Sequence, residues 1–341
     1  MTTRAASPSP AAESGPARSP ADFPDPPAAL VDLLSAPFTP QKRFRVPRAA
    51  WLRRFDSVPH AAEAISALPS WINRDDAVAA FRSHWPDNVT GAFATTMVWA
   101  YGEKAGYAPY RVLRVLTASP EPDGMPENPR VRDVLRRAIE LTCTEGAAEG
   151  FSYLNDCTHK VRSHQRDDAD LLVGVDCGRI YGLGPSFFTK WLHIGALALG
   201  DGAAPTPMLD NQALTWLDEH ARTVDRACLT QDHRRKVELL HRKWHAESVF
   251  SSCDDDCPFT TGDASKSCTG LLPGGSDETG WSPTTPEGDL LRLRSGRTDH
   301  YARYIELLTA WGAPFRLDAS QVGDRIYRLI RDDGEQRTIA A

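Results

Sequence analysis

Between Arg130 and Thr144 the residues Val131, Val134, Leu135, Ala138, Ile139 and Thr142 recur every three or four positions and trace one face of a helix. The same period appears elsewhere, while the strict alternation of half-buried strands is sparse. DDAVAAFRSHW and TGAFATTMVWAYG read as short helices, the second with Phe93, Met97 and Ala100 at helical spacing. In YGEKAGYAPYRVLRVL, Gly102, Gly106 and Pro109 break one helix and Pro109 starts the next. LDNQALTWLDEHA opens a helix with Asp210 as its N-cap, and DHYARYIELLTAW puts Tyr301, Tyr304, Ile305 and Leu308 on a shared face. No internal repeat is present. The expected fold is all-α, and a doubly wound sheet is disfavoured because its alternating strands are missing.

A chain of 341 residues is long enough to bury a sizeable core. Residues 1–40 are rich in Ala, Pro and Ser and are expected to form a disordered tail, with one helical domain over 41–341. HKVRSHQRDDADL reads as a charged loop, and 252–290, poor in apolar residues, as a loop insertion. No run approaches the roughly 18 apolar residues of a membrane span, and no secretory signal is visible at the start. A cytoplasmic protein with no membrane partner is expected. Seven cysteines, an odd number without framework spacing, lead to the expectation of no disulfides. Cys253, Cys257 and Cys268 lack the paired spacing and fourth ligand of a thiolate zinc site, so neither a metal nor a cofactor is expected.

The net charge of −6 counts against a nucleic-acid partner only in the total. QKRFRVPRAAWLRR (41–54) and HRRKVELLHRKWH (233–245) are basic blocks that acidic stretches such as SSCDDDC offset. From charge alone, a DNA-facing surface and solvated helix faces explain these blocks equally.

YGLGPSFFTKWLHIG, residues 181–195, carries more chemistry. Gly182-Leu183-Gly184 before a helix makes a tight hairpin, and the free N–H groups of a helix start favour an anion such as a backbone phosphate. Lys190 follows on the new helix. Only seven of the 39 basic residues are lysine, and a lysine, unlike an arginine, can lose its proton and act as a nucleophile. Asp210, at the next helix start, returns a carboxylate towards that amine. Ser186 reads as a first-turn cap or a pocket residue. His193, on a face similar to that of Lys190, reads as a core histidine or a pocket contact. Trp99, Tyr101, Tyr107 and Tyr110 suit either stacking on a flipped base or helix packing, as do Tyr301 and Tyr304.

The order of GLGPSFFTK, then PMLDNQALTWL, with AYGEKAGYAPYR before and HYARYIELL after, resembles the helix-hairpin-helix DNA glycosylases, in particular the 8-oxoguanine DNA glycosylase (OGG) branch in bacteria. The resemblance covers about 91–313. It implies a two-lobed all-α fold with a cleft, double-stranded DNA as partner, and a modified base flipped into a pocket. It also implies cleavage of the N-glycosidic bond by a lysine helped by an aspartate, here Lys190 and Asp210. In the usual hairpin the lysine stands two residues after the second glycine, where this chain has Ser186; Lys190 comes one helical turn later. Three readings stay open: a glycosylase with abasic-site lyase activity, a monofunctional enzyme in which Asp210 activates water, and a non-catalytic DNA-binding protein. A nucleoid-associated monomer is expected in each.

Overall fold

A computed structural model of the protein describes residues 23, 25–103, 105–156, 173, 177–200, 204–220 and 293–339. The α-helices among them are α1 (Ala28–Ser35), α2 (Arg48–Leu52), α3 (Pro59–Ala67), α4 (Arg74–His84), α5 (Val89–Tyr101), α6 (Ala108–Thr117), α7 (Pro129–Thr144), α8 (Ala147–Asn155), α9 (Pro185–Leu199), α10 (Asn211–His220), α11 (Thr298–Gly312) and α12 (Ala319–Ile339). Among the described residues the sheet content is one two-residue antiparallel pair, β1 (Phe44–Arg45) with β2 (Trp71–Ile72), so the fold is all-α. No described helix is long and apolar enough to cross a membrane.

Helix starts follow from residues that satisfy the free N–H groups of the first turn. Asn73 and Asp76 form a reciprocal capping box at α4, Asn88 accepts from Gly91 N at α5, and Asn128 accepts from Arg130 N at α7. Prolines stand in the first turn of α6, α7 and α9, where a missing N–H costs nothing. The face of α7 read from the sequence is the one it buries. On α11, Tyr301, Tyr304 and Leu308 are buried together with Leu307 and Trp311, and Ile305 sits half-buried at the edge.

Helix α9 lies at the centre, packed on α4, α5, α7 and α8, while α12 packs on α1, α10 and α11. Trp191 of α9 is fully buried, with Phe81 at 4.9 Å and Phe93 at 5.5 Å between ring centroids, and its indole N–H donates to Leu135 O at 3.1 Å. Such a side chain contributes on the order of 3–5 kcal/mol. Gly195, one turn further, lets α7 approach: a Cβ there would stand 2.3 Å from Ile139 Cδ1. Helix α5 is covered on nearly every side by α3, α4, α6, α7 and α9, and its buried Thr95 and Thr96 hydroxyls bond back to carbonyls one turn earlier.

Two expectations are corrected. Residues 28–35, placed in the tail by composition, form α1, whose Leu30 and Leu34 are buried against the core. Eight residues are too few for a stable isolated helix. Docking on α12 holds α1 in place, and Arg325 of α12 donates to Ala36 O at 3.4 Å and to Leu33 O at 2.9 Å, the latter also accepting the Ala36 N–H that closes α1. Cys177 is disulfide-bonded, where reduced cysteines were expected; which thiols meet is set by tertiary proximity, which a count of cysteines does not encode. Residues 159–171, the basic block 233–245, Cys253, Cys257, Cys268 and the insertion 252–290 lie outside the described residues. The block at 41–54 is partly structural: Trp51 is buried, Arg43 pairs with Asp76, and Arg48 bonds the Leu68 carbonyl.

Candidate active site

Gly182 sits at φ +81°, which only glycine adopts without strain, and turns the chain into α9. Gly184 is the N-cap of α9, with no side chain closing that end, and Pro185 begins the helix. An antiparallel bridge between Val173 and Ile180 precedes the turn. Leu183 points inward and is buried, so the glycines, rather than the leucine, form the exposed part of the turn.

The segment 204–210 is bound back onto α9 and the carboxy-terminal helices at four points. Leu209 N donates to Thr189 Oγ1 at 3.1 Å, and Thr206 O meets His193 Nδ1 at 2.8 Å. Pro207 O accepts from the Tyr301 hydroxyl at 2.9 Å, and Thr206 N donates to Ser320 Oγ at 2.8 Å. These bonds deliver Asp210 opposite Lys190. Lys190 Nζ donates to Asp210 Oδ2 at 3.2 Å, with both side chains largely but not wholly covered. The other oxygen, Oδ1, accepts from Gln212 N at 3.0 Å and Ala213 N at 3.1 Å and so caps α10. Capping fixes the carboxylate rotamer, and the positive end of α10 stabilises its charge.

Two adjoining cavities share this pair. The first, about 230 Å³, has Trp99 and Gln41 on one wall and Asp324, Tyr327, Arg328 and Arg331 of α12 on the other. The second, about 200 Å³, is lined by Tyr101, Ser186 and Phe187 beside Lys190 and Asp210. Ser186 and Lys190 therefore open, one turn apart on α9, into the same space. Trp99 lines the first cavity; its indole N–H donates to Gln41 Oε1 at 2.8 Å and its ring stacks on His193 at 6.4 Å.

Burial decides the titration of the surrounding groups. His193 is enclosed, and desolvation lowers its pKa to about 4 against the favourable bond to Thr206 O, with Arg74 lowering it further. It is a neutral core histidine, bonded away from the cavities. Tyr304 is fully buried and its phenol is pushed far up, first by burial and then by the charge of Asp210. Tyr327 is raised for the same two reasons in the same order, and its hydroxyl lies beside the Asp210 carboxylate without a hydrogen bond of good geometry. Burial pushes Tyr101 up to about 12 against the opposing charge of Arg111.

The structure thus brings together Lys190, Asp210, Ser186 and Trp99. It does not bring Tyr301 or Tyr304 to the cavities: both rings are inside the core, Tyr301 stacked on Phe151 at 4.4 Å, with no face open to a ligand. Tyr107 lies in a different depression, between the end of α2 and the start of α6. Among the described residues no cluster of three His, Cys, Asp or Glu is placed to hold a metal ion.

A family model described as "Putative 8-oxoguanine DNA glycosylase OGG-like protein" matches residues 38–327, most of the chain. The chain belongs to this OGG-like family. No curated protein and no solved structure matches. Membership in the OGG-like family makes DNA the substrate and base removal by a glycosylase the activity class. The matched region takes in α2 to α11 and α12 as far as Tyr327.

The wall contributed by α12 is absent from the residues singled out in the sequence. A signal for it exists. Asp318 N donates to Gln321 Oε1 at 3.0 Å while Gln321 N donates to Asp318 Oδ1 at 2.8 Å, a capping box legible as D-A-S-Q, and Val322 and Ile326 follow at helical spacing.

Proposed function

We propose that this OGG-like protein removes an oxidised base of the 8-oxoguanine type from duplex DNA, using Lys190 as nucleophile and Asp210 as its partner. The observation that carries the reading is the 3.2 Å contact between Lys190 Nζ and Asp210 Oδ2 on the wall common to both cavities. C1′ and the base edge are out of reach inside a stacked duplex, so the nucleotide must swing out into this cleft. The turn at Gly182–Gly184, with the uncapped start of α9 behind it, suits sequence-independent contact with a backbone phosphate, in the manner of a hairpin between helices.

In the resting pair the ammonium of Lys190 is held by a carboxylate that can take up its proton. The freed amine attacks C1′, the C1′–N bond breaks, and its electrons leave with the base, which is then protonated. Asp210 passes its proton to the departing base, and the restored carboxylate stabilises the positive charge on the sugar–amine adduct. Opening of the C1′–O4′ bond gives a Schiff base between Lys190 and C1′. Loss of a C2′ proton with departure of the 3′ phosphate then nicks the strand, which is the lyase half of the reaction.

Borohydride trapping on a duplex carrying 8-oxoguanine opposite cytosine tests this directly. A covalent complex with the wild-type protein, lost in Lys190→Gln, is the expected result. Release of free base with no trapped complex would replace the lysine mechanism by water activated at Asp210. Duplex binding with no base release from any modified substrate would leave a DNA-binding protein and overturn the enzymatic reading.

A further inference from the structure

A second depression, about 790 Å³, lies between the end of α2, the start of α6 and the turn at 123–124. Tyr107 stands in it with 61% of its surface exposed, the most open of the large hydrophobic side chains among the described residues. Its ring meets that of Tyr110 at 4.9 Å with a tilt of 34°, and the Tyr110 hydroxyl is tied down by donating to Pro120 O at 3.0 Å. An aromatic pair with one ring anchored and the other face bare is a stacking platform.

The polar groups around the platform say what it stacks. Arg54 is spent on Asp123, which it grips through both oxygens at 2.9 and 2.6 Å, and its guanidinium lies 5.7 Å from the Tyr110 centroid. Arg53 and Asp56 are exposed, and their side chains make no hydrogen bond or ion pair among the described residues. The Ser57 hydroxyl is buried at the edge of the depression without a partner. The two arginines and two aspartates balance in charge. A phosphate would require an excess of positive charge. A flat face flanked by one free donor group and one free acceptor group instead matches a nucleobase, whose edge carries both acceptors and donors.

The position agrees. The end of α5 and the start of α6 lie between the two sites, with Ala100 and Tyr101 at the end of α5 lining the Lys190 cavities and Gly106 and Tyr107, just before α6, lining the depression. Helix α6 spans the same gap: Arg111 lies 4.4 Å over the Phe187 ring beside the cleft, while Tyr110, one residue earlier, lines the depression. We propose that this depression binds a second, unstacked base of the bound DNA, by stacking on Tyr107 with its edge towards Arg53 and Asp56. The inference rests on the DNA-glycosylase reading for its source of bases, and not on which residue performs the chemistry.

The test uses the full-length protein on a duplex with a tetrahydrofuran abasic analogue at its centre, replacing one base at a time on either strand by 5-iodouracil. Ultraviolet cross-linking followed by mass spectrometry reads which residue each position touches. Cross-links to Tyr107 or Tyr110 are expected from a small set of positions and persist in Lys190→Gln. Tyr107→Ala removes them and weakens duplex affinity about tenfold, the scale of one lost base–aromatic stack. A duplex that binds with no position reaching either tyrosine overturns the second-base site alone, as does unchanged affinity in Tyr107→Ala. Failure to bind any duplex overturns the DNA reading of the whole protein, and this site with it.

Discussion

Lys190 and Asp210 stand twenty residues apart in the chain and 3.2 Å apart in space, and the carboxylate that meets the amine also caps α10. One side chain thus serves folding through Oδ1 and faces the cleft through Oδ2. The two roles separate by substitution.

Asp210→Asn keeps an oxygen for the cap and removes the charge, whereas Asp210→Ala removes both. Loss of about 10²–10⁴ in the rate of base release is expected for both variants, the range for a positioned acid–base group. Only Asp210→Ala adds a loss of about 1 kcal/mol in unfolding free energy. Single-turnover base release beside urea denaturation measures both, and equal activity of wild type and Asp210→Asn would sink the catalytic assignment.

Acid stability is expected to follow His193. Its folded pKa, about 4, lies below the ordinary value of 6.5, so the unfolded chain binds the proton more readily. The stabilisation is present above pH 6.5 and is lost as pH falls from there towards 4, on the order of 3 kcal/mol in total. Thermal melting from pH 7 to pH 4, with His193→Gln in parallel, reads this directly. The wild type should lose more stability over that window than the variant, and parallel curves would contradict it.

Gly195→Ala tests the approach of α7 to α9. Alanine gains roughly 1 kcal/mol in helix propensity, but its Cβ meets Ile139 Cδ1 at 2.3 Å and Phe81 Cζ at 3.3 Å, and overpacking costs about 1–3 kcal/mol. Net destabilisation is expected, with a drop in activity as α9 shifts and carries Lys190 with it. A variant more stable than wild type would show that the contact relaxes freely.

Leu30→Ala distinguishes a docked helix from a tail. Removal of a fully buried leucine costs about 2–5 kcal/mol, while the same change in a solvated segment costs nothing measurable. Chemical denaturation decides, and limited proteolysis should cut near α1 faster in the variant.

Arg325→Met removes the guanidinium that covers the carbonyls of Leu33 and Ala36 at the end of α1. Hydrogen bonds from a charged donor contribute about 1.5–3 kcal/mol. Hydrogen exchange in α1 should quicken more than in α7, and uniform protection would argue against a local staple.

The periodic helices were legible because their signals are local. The buried face of α7, the proline starts of α6 and α9 and the Asp210 cap each depend on residues within one or two turns, and the family resemblance rested on such pieces. Helix α1 was not legible, since eight residues beside a Pro-rich stretch become helical only when α12 covers Leu30 and Leu34. The tyrosines divide in the same way. Tyr107, Tyr301 and Tyr304 are equivalent as aromatic residues, yet packing of α11 sealed two of them in the core and the α5–α6 loop left the third in solvent. The sequence by itself determined the periodic helices α4 to α7 and α9 to α11 and which side chains can do acid–base or stacking chemistry, because helical periodicity, capping and side-chain type are local properties. The meeting of Lys190 with Asp210, and the wall of Tyr327 and Arg328 across from them, was decided only by the tertiary structure. It depends on bonds from Thr189, His193, Tyr301 and Ser320 that close loops of tens of residues, and no short-range pattern specifies such closures.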